Sequence, residues 1–316
     1  MHTMVFLDTD TMGDADLSPL RSSSTPLQCY PYTTPQQVVS RLQQASIAIV
    51  NKVELTAEML KALPGLKLIC VAATGVNNVD LAAARQLGIT VCNVRGYADT
   101  AVPQHVFALL LQLTNKVQQY HQAVLEGKWS RSKHFCLLDY PVTELANKNF
   151  VVVGYGALGQ ASAALAQAFG MQLIIAEQPG AAACRPGRVS FTDALTQADV
   201  ISLHCPLTTA TEKLFNAEVF AAVKPNALLI NTARGGLIDE AALLNALQNG
   251  TLGGAALDVL TQEPPAPDNI LIRANLPNLL ITPHMAWASA EARQRMVLQL
   301  ADNIQAFMQG SPRYQV

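Results

Sequence analysis

The stretch FVVVGYGALG, Phe150–Gly159, joins four apolar residues to a glycine-rich turn. An apolar run of this kind predicts a buried strand, and Gly-x-Gly-x-x-Gly directly after it predicts a turn that opens a helix. Gly154 would permit the tight turn, Gly156 would let the backbone approach a pyrophosphate, and Gly159 would let the helix pack closely on the strand. An acidic residue is expected about 20 positions further on, where the next apolar run ends in Glu177. The predicted dinucleotide site comprises Gly154, Tyr155, Gly156, Ala157, Leu158, Gly159 and Glu177.

The residues around Glu177 favour NAD over NADP. A carboxylate at this place would accept hydrogen bonds from the adenosine ribose hydroxyls and would repel a 2′-phosphate. No Arg or Lys follows it immediately, because the next residues are Gln178–Gly180. Arg185 and Arg188 lie farther along and would reverse the preference if their loop folds back. NAD is therefore the predicted cofactor, and NADP is the less favoured one.

Short apolar runs alternate with helical patterns along almost the whole chain, in two series. The first series predicts strands at Val5–Leu7, Ile47–Val50, Leu66–Ala72 and Ile89–Cys92. The second predicts strands at Phe150–Val153, Leu173–Ala176, Val200–His204, Leu228–Asn231, Ala255–Val259 and Leu279–Thr282. Fully apolar strands that alternate with helices predict parallel sheets covered on both faces. The predicted fold class is α/β, with two doubly wound domains. A long helix over Ala101–Glu126 would lie between the series, and another, capped by Ser289, would end the chain.

Length and composition agree with two buried sheets. The chain has 316 residues, which at about 150 residues per domain predicts two domains. Charged residues make up 14% and apolar residues 50%, which excludes a disordered chain. The formal net charge of -2 gives no field for nucleic acid or an anionic membrane, and there is no run of about 18 apolar residues to span a bilayer. Either much of the chain is buried, or part of its surface meets another subunit.

The cysteines point to a reducing compartment. They are scattered, with no CxxC pair and no zinc-ligand spacing, so no metal site is predicted. Several stand in apolar runs typical of strands, which indicates buried, reduced thiols in a cytoplasmic protein. The N-terminus has no basic segment and reaches Asp8 after one short apolar run, so it does not read as a secretory signal.

Three residues able to carry acid–base chemistry follow consecutive predicted strands, namely Arg234, Glu263 and His284. Each alone has an ordinary structural explanation in a turn or a loop. Since parallel sheets place their sites at the carboxyl ends of strands, the three are expected at one edge. Reduction of a 2-oxo acid by a nicotinamide cofactor needs a proton donor, a group that keeps the donor charged, and a cation for the carboxylate. These residue types supply all three.

Several motifs, in the same order, resemble the D-2-hydroxyacid dehydrogenase family over essentially the full length. They are GYGALG (Gly154–Gly159), LHCPLT (Leu203–Thr208), NTARGG (Asn231–Gly236), ALDV with EPP (Ala256–Val259, Glu263–Pro265) and TPHMAWAS (Thr282–Ser289). Within the family, Ala72–Tyr97 and Ala286–Ser289 are similar to the glycerate dehydrogenase, or hydroxypyruvate reductase, branch. The resemblance implies an NAD(H)-dependent enzyme that reduces hydroxypyruvate to D-glycerate, with glyoxylate as a further candidate. Another 2-oxo acid such as pyruvate, 3-phosphoglycerate oxidation, and a non-enzymatic NAD-sensing protein are the alternatives.

The resemblance also implies roles for single residues. His284 would protonate the substrate carbonyl, Glu263 would favour the charged imidazole, and Arg234 would hold the substrate carboxylate. Asp258 would meet the nicotinamide carboxamide. The other implied cofactor contacts, beside Arg234 and His284, are His204, Cys205, Pro206, Thr208, Thr232 and Ala233. The implied substrate contacts, again beside Arg234 and His284, are Ala73, Thr74, Gly75, Val76, Tyr97 and Trp287. His105 and His204 read as structural rather than catalytic.

The domain organisation implied by the resemblance is discontinuous. Residues 1–98 and 288–316 would form a flavodoxin-like substrate domain, residues 99–287 would form a Rossmann NAD-binding domain, and a cleft would lie between them. The segment Ala101–Pro141 resembles the family's dimerisation region, which implies a homodimer. Pro103 stands where the family has Ala more often, and a proline there fits the first turn of the long helix.

Overall fold

A computed structural model describes residues 3–21 and 25–316 of the chain. It divides into two units, Met1–Ala98 with Ala288–Val316, and Asp99–Trp287. The strands are β1 (Met4–Phe6), β2 (Leu27–Cys29), β3 (Ile47–Val50), β4 (Leu68–Val71), β5 (Thr90–Cys92), β6 (Asn149–Val153), β7 (Gln172–Ala176), β8 (Val200–Leu203), β9 (Leu228–Asn231), β10 (Gly254–Leu257) and β11 (Leu279–Ile281). The α-helices are α1 (Pro35–Leu42), α2 (Ala57–Lys61), α3 (Leu81–Gln86), α4 (Ala101–Asn115), α5 (Val117–Leu125), α6 (Ala157–Ala168), α7 (Phe191–Gln197), α8 (Ala217–Ala222), α9 (Glu240–Gln248), α10 (Ile270–Ala274) and α11 (Ala290–Met308).

The first unit is built on a parallel sheet with the strand order β2-β1-β3-β4-β5. This is the flavodoxin-like order 2-1-3-4-5. Every side chain of β3 and β4 is buried, as expected for strands covered by helices on both faces. The terminal helix α11 belongs to this unit, and the predicted cap is confirmed because the Ser289 hydroxyl accepts a hydrogen bond from the Ala292 N–H at 3.1 Å.

The second unit is built on a parallel sheet with the order β11-β10-β9-β8-β6-β7. An isolated parallel bridge from Ala176 to Val189 continues the sheet beyond β7. When β6 is numbered as strand 1 and the bridge as strand 3, the order from this edge is 3-2-1-4-5-6, followed by β11. The order 3-2-1-4-5-6 is that of the Rossmann fold. The predicted α/β class with two doubly wound parallel sheets is therefore confirmed. In this topology the strand order reverses between β6 and β8, where ligands of such sheets bind.

The predicted continuous helix over Ala101–Glu126 is wrong in one respect. It is broken at Lys116, whose backbone is left-handed (φ 55°), so that α4 and α5 are separate helices. The buried face of α4 ends at Leu113 and Thr114, and the sequence then turns polar. Burial of apolar side chains therefore no longer favours a continuous helix. Within the same unit Phe107 of α4 stacks on Phe150 of β6 at a centroid distance of 5.9 Å, which fixes α4 against the sheet.

Strand β2 and helix α10 were not predicted from the sequence. Strand β2 has three residues, which is too few for a periodic pattern to stand out from a loop. Helix α10 has five residues and begins at a cap, where the Asn269 side chain accepts hydrogen bonds from the N–H groups of Leu271 and Ile272.

Candidate active site

The glycine turn after β6 is fixed by close backbone contacts. Gly154 has φ 99°, and a Cβ on it would lie 2.5 Å from the Cys205 nitrogen and 2.6 Å from the His204 carbonyl carbon. A Cβ on Gly159 would lie 2.1 Å from the Gly154 oxygen. The turn therefore tolerates only glycine at these two positions, and it lies against the segment that follows β8.

The first turn of α6 provides a place for phosphate groups. Gly156 is its N-cap residue and supplies no side-chain hydrogen bond to the first-turn N–H groups. A Cβ on Gly156 would meet nothing within 4 Å, so the space above the helix end is open. Thr232 directly follows β9, and its buried hydroxyl has no hydrogen-bond partner in the part of the chain that the structure describes. Open N–H groups at a helix N-terminus and an unpartnered hydroxyl fit a bound dinucleotide.

Glu177 follows β7, and the loop after it folds back onto its carboxylate. Glu177 is 3% exposed and accepts hydrogen bonds from the N–H groups of Gln178 at 2.8 Å and Arg185 at 3.0 Å. The Arg185 guanidinium also donates to both carboxylate oxygens, with an Nε distance of 2.9 Å to Oε2. The Arg188 Nε lies 4.0 Å from the same oxygen. The Arg185 guanidinium holds the pKa of Glu177 well below its usual range, so this carboxylate is ionised.

Two of the three predicted catalytic side chains are in direct contact. His284 Nδ1 lies 2.6 Å from Glu263 Oε2, and the other carboxylate oxygen accepts a hydrogen bond from the Leu260 N–H at 3.0 Å. His284 has a left-handed backbone (φ 53°), and its N–H donates to the Asp258 carbonyl at 2.8 Å. The carboxylate can hold the imidazole in one orientation, which leaves the Nε2 atom to exchange a proton with a ligand.

Arg234 follows β9 in a turn that packs against the segment after β10. A Cβ on its neighbour Gly235 would lie 2.0 Å from the Leu260 carbonyl carbon, so these two segments touch through their backbones. The Arg234 Nη1 donates to the Ala233 carbonyl at 2.7 Å. Among residues 3–21 and 25–316 no carboxylate forms an ion pair with this guanidinium, so its charge is available to an anionic ligand.

Residues 107–286 match the family described as D-isomer specific 2-hydroxyacid dehydrogenase, NAD binding domain. The chain belongs to this family. It is 47% identical to a glycerate dehydrogenase from Methylorubrum extorquens, over 98% of this chain and 97% of that protein. It is 39% identical to a hydroxypyruvate reductase from Blautia hydrogenotrophica, over 89% of this chain and 87% of that one. A solved structure of D-lactate dehydrogenase from Escherichia coli superposes with a TM-score of 0.83 at 26% identity and covers 100% of both chains.

Membership of this family makes the protein an NAD-dependent oxidoreductase of 2-hydroxy acids, and the predicted cofactor class is thereby confirmed. Among the described residues, no group of three or more His, Cys, Asp and Glu side chains is arranged to hold a metal ion. None of the described helices is both long enough and apolar enough to cross a membrane.

Asp258 holds the backbone that follows His284. It is 1% exposed, and its carboxylate accepts hydrogen bonds from the N–H groups of Met285 at 2.9 Å and Ala286 at 2.8 Å. The Thr282 hydroxyl donates to it at 2.5 Å, and His105 Nε2 lies 3.4 Å away. Burial alone would raise the pKa of Asp258, but these hydrogen bonds keep it below its usual range. The predicted contact with a nicotinamide carboxamide stays a prediction.

The sequence did not assign His105 or Thr282 to this network. His105 Nε2 lies 3.0 Å from the Thr282 hydroxyl and so joins α4 to the loop after β11. The two residues are 177 positions apart, so no local pattern could pair them. A polar residue inside the apolar face of α4 was the one available signal, and it indicated a structural histidine.

The segment after β8 contains four of the predicted cofactor contacts, His204, Cys205, Pro206 and Thr208. Burial lowers the pKa of His204 to about 4, so the ring is neutral at pH 7. Its Nε2 lies 2.8 Å from the Ser202 hydroxyl, which agrees with a structural role. Thr208 is exposed, and its N–H donates to the Thr211 hydroxyl at 2.8 Å. Their contacts with the cofactor stay predictions.

The predicted substrate contacts lie in different units of the chain. Ala73–Val76 follow β4, and the Thr74 hydroxyl donates to the Val94 carbonyl at 3.0 Å within the first unit. Tyr97, in the same unit, is buried and its carbonyl accepts from Arg295 Nε at 2.9 Å. Trp287, in the second unit, donates its indole N–H to the His284 carbonyl at 2.9 Å, so it lies beside His284. Their roles in binding substrate stay predictions.

Proposed function

We propose that this dehydrogenase reduces hydroxypyruvate to D-glycerate with NADH, by proton transfer from His284. The contact of 2.6 Å between His284 Nδ1 and Glu263 Oε2 carries the proposal, because it provides a proton donor next to an ionisable partner. The choice of substrate is supported by the glycerate dehydrogenase and hydroxypyruvate reductase at 47% and 39% identity. Glyoxylate, which lacks only the hydroxymethyl group, is proposed as a second substrate.

In this mechanism the bound nicotinamide supplies a hydride to the C2 atom of the substrate. His284, as the imidazolium, donates the proton at Nε2 to the carbonyl oxygen, so that one hydride and one proton convert the 2-oxo acid to the 2-hydroxy acid. Glu263 stabilises the imidazolium through Nδ1 and fixes the ring. Arg234 binds the substrate carboxylate and polarises the neighbouring carbonyl. In the oxidative direction neutral His284 accepts the proton.

The place of Trp287 suits a small substrate. Its indole nitrogen is tied to the His284 carbonyl at 2.9 Å, which holds a large flat side chain beside the proton donor. We propose that the ring limits the space at the C3 end of the substrate. A hydroxymethyl group fits such a limit better than a branched side chain does.

Steady-state oxidation of NADH tests the proposed substrate. Hydroxypyruvate, glyoxylate and pyruvate are compared side by side at equal concentrations, and hydroxypyruvate is expected to give the highest kcat/KM. A higher kcat/KM with pyruvate would overturn the substrate assignment while leaving the chemistry intact. Binding of NADH without turnover of any of the three would instead favour a dinucleotide-sensing protein.

We propose that the protein is a homodimer that pairs through the segment 117–142. Large apolar side chains of this segment are solvent-exposed in the single chain, among them Phe135 at 90% and Leu138 at 85%. Exposed apolar groups concentrated in one segment are typical of an interface between subunits. Sedimentation of the wild-type protein is expected to give the mass of two chains, and Phe135→Glu with Leu138→Glu is expected to give one. A wild-type monomer would contradict the proposal.

We propose a cytoplasmic location on the basis of the thiols. All six cysteines are free, and burial raises the pKa of Cys92 to about 11, so that its thiol stays protonated and unreactive. Reduced cysteines in this number fit a reducing compartment. Fractionation of cells with an antibody to the native protein tests the location, and recovery outside the cytoplasm would contradict it.

A further inference from the structure

We propose that Arg185 and Arg188 form a site for a 2′-phosphate, so that the protein binds NADPH with an affinity close to its affinity for NADH. The inference concerns only the adenosine end of the cofactor site and rests on the dinucleotide binding of the proposed function. It does not depend on which 2-oxo acid is reduced.

The position of the ribose follows from Glu177. In a Rossmann fold the acidic residue at the end of the second strand hydrogen-bonds the adenosine 2′-hydroxyl. Glu177 occupies that place directly after β7. A group that contacts its carboxylate therefore lies beside the 2′ position. Arg185 contacts both oxygens, and the Arg188 Nε lies 4.0 Å from Oε2.

The usual basis for rejecting NADPH is weakened here. A lone carboxylate repels a phosphate, but two guanidinium groups lie next to this one, so the net charge of the three side chains is positive. The acceptor positions of Glu177 are also occupied, since a carboxylate offers about four and the carboxylate already accepts from Gln178 and Arg185. Hydrogen bonds from the ribose hydroxyls to such a carboxylate therefore stabilise bound NADH less than hydrogen bonds to a carboxylate that faces water.

Arg185 retains donors for a phosphate while it contacts Glu177. Its side chain is 53% exposed, and a guanidinium carries about five N–H donors. Only Nε and Nη2 donate to Glu177, and Nη1 donates to no group among the described residues. Planar guanidinium groups bind phosphate oxygens through pairs of parallel hydrogen bonds. Arg185 can therefore bridge the carboxylate and a phosphate.

The loop that carries the two arginines is held in place by its backbone. The Arg188 N–H donates to the Arg185 carbonyl at 3.1 Å, and the Glu177 N–H donates to the Val189 carbonyl at 2.8 Å. Gly180 and Gly187 have φ angles of 74° and 77°, which allow the loop to turn back on both sides of Arg185. The guanidinium groups are thus positioned before a ligand binds, and little ordering entropy opposes phosphate binding.

Equilibrium binding of NADH and NADPH, followed by calorimetry without substrate, tests the proposal. The ratio of the two dissociation constants, Kd for NADPH over Kd for NADH, is expected to lie below ten in the wild type. The double variant Arg185→Ala with Arg188→Ala is expected to raise this ratio at least tenfold. The variant is expected to fold, because Glu177 keeps the two backbone N–H donors of Gln178 and Arg185. Adenosine 2′,5′-bisphosphate and adenosine 5′-monophosphate, which differ only by the 2′-phosphate, are expected to show the same change.

Arg273→Ala is the matched control, because it removes an exposed arginine of the same unit and is expected to leave the ratio unchanged. A wild-type ratio of ten or more, or a rise of less than tenfold in the double variant, would overturn the proposal. If the wild type binds neither NADH nor NADPH, the dinucleotide site itself fails, and this result is distinct from a failure of phosphate binding alone. If the protein turns over hydroxypyruvate with NADH but does not bind NADPH, the phosphate site is overturned and the proposed function stands.

Discussion

Gly235→Ala is expected to damage catalysis although it changes no catalytic side chain. The added Cβ would lie 2.0 Å from the Leu260 carbonyl carbon and 2.4 Å from the Thr261 nitrogen, where ordinary contact begins at 3.4 Å. Both neighbours are backbone atoms, so the turn after β9 and the segment after β10 must separate by about 1 Å or more. Gly235 adjoins Arg234, and the Leu260 N–H donates to the Glu263 carboxylate, so the shift changes the distance between Arg234 and Glu263. These are the residues proposed to bind the substrate carboxylate and to hold His284.

The size of the effect follows from that displacement. Overpacking in a buried region costs about 1–3 kcal/mol, which for a unit of this size lowers Tm by about 2–12 °C. Misplacement of catalytic groups by about 1 Å can reduce the rate about 100-fold. We therefore expect Gly235→Ala to lower kcat/KM for hydroxypyruvate by roughly two orders of magnitude.

Gly236→Ala is the matched control for this experiment. It makes the same chemical change one residue later, but its Cβ would meet the Leu207 Cδ2 atom at 2.9 Å, which is the end of a flexible side chain. This variant is expected to stay within threefold of the wild-type kcat/KM. The assays are NADH oxidation followed at its absorbance maximum and thermal unfolding. A Gly235→Ala protein with wild-type Tm and kcat/KM would refute the reasoning.

Three other variants test the remaining parts of the site. His284→Ala is expected to lower kcat by about 100-fold to 10,000-fold, because it removes the proton donor, while calorimetry should show NADH binding retained; wild-type turnover would exclude His284 as the acid. Glu263→Gln removes the carboxylate that contacts His284 Nδ1 at 2.6 Å, so kcat should fall while NADH binding is retained, and a wild-type kcat would contradict the pairing. Hydrogen bonds hold the pKa of Asp258 below its usual range, so Asp258 stabilises the fold above that range and loses this contribution as the pH falls through its folded-state pKa. Thermal unfolding should therefore show wild type more stable than Asp258→Asn at pH 7, with a gap that narrows below about pH 4, whereas a gap independent of pH would contradict this account.

The local parts of the structure were accessible from the sequence. Phe150–Gly159 specifies its strand, turn and helix within a short window, because apolar periodicity and the glycine positions act on neighbouring residues. The sequence also predicted that Glu263 and His284 lie at one edge, since both follow parallel strands whose carboxyl ends share it, and the family resemblance implied their contact. The left-handed Lys116 had no such signal, because neither glycine nor proline marks that break.

Contacts between distant residues are what the sequence could not supply. Arg185 bears on cofactor choice only if its loop folds back, and that fold-back depends on the backbone of residues 178–188. The contact of His105 with Thr282 likewise depends on how α4 packs on the sheet. In both cases the residue types were informative, but the pairing required the tertiary structure.

Buried polar side chains hold the loop backbone that carries Arg234 and the backbone that follows His284. Asn231, at the end of β9 and fully buried, donates its side-chain amide to the Arg234 carbonyl at 2.8 Å and accepts from the Ala233 N–H at 3.0 Å. The Asp258 carboxylate accepts hydrogen bonds from the N–H groups of Met285 and Ala286, which follow His284. Each therefore satisfies backbone groups that an irregular loop would otherwise leave buried and unpaired, at a cost of about 1–3 kcal/mol for each group. Asn231 ends β9 and Asp258 directly follows β10, and these two strands are neighbours in one parallel sheet, so the sheet and the backbone contact between Gly235 and Leu260 together set the spacing of the loops that carry Arg234 and His284.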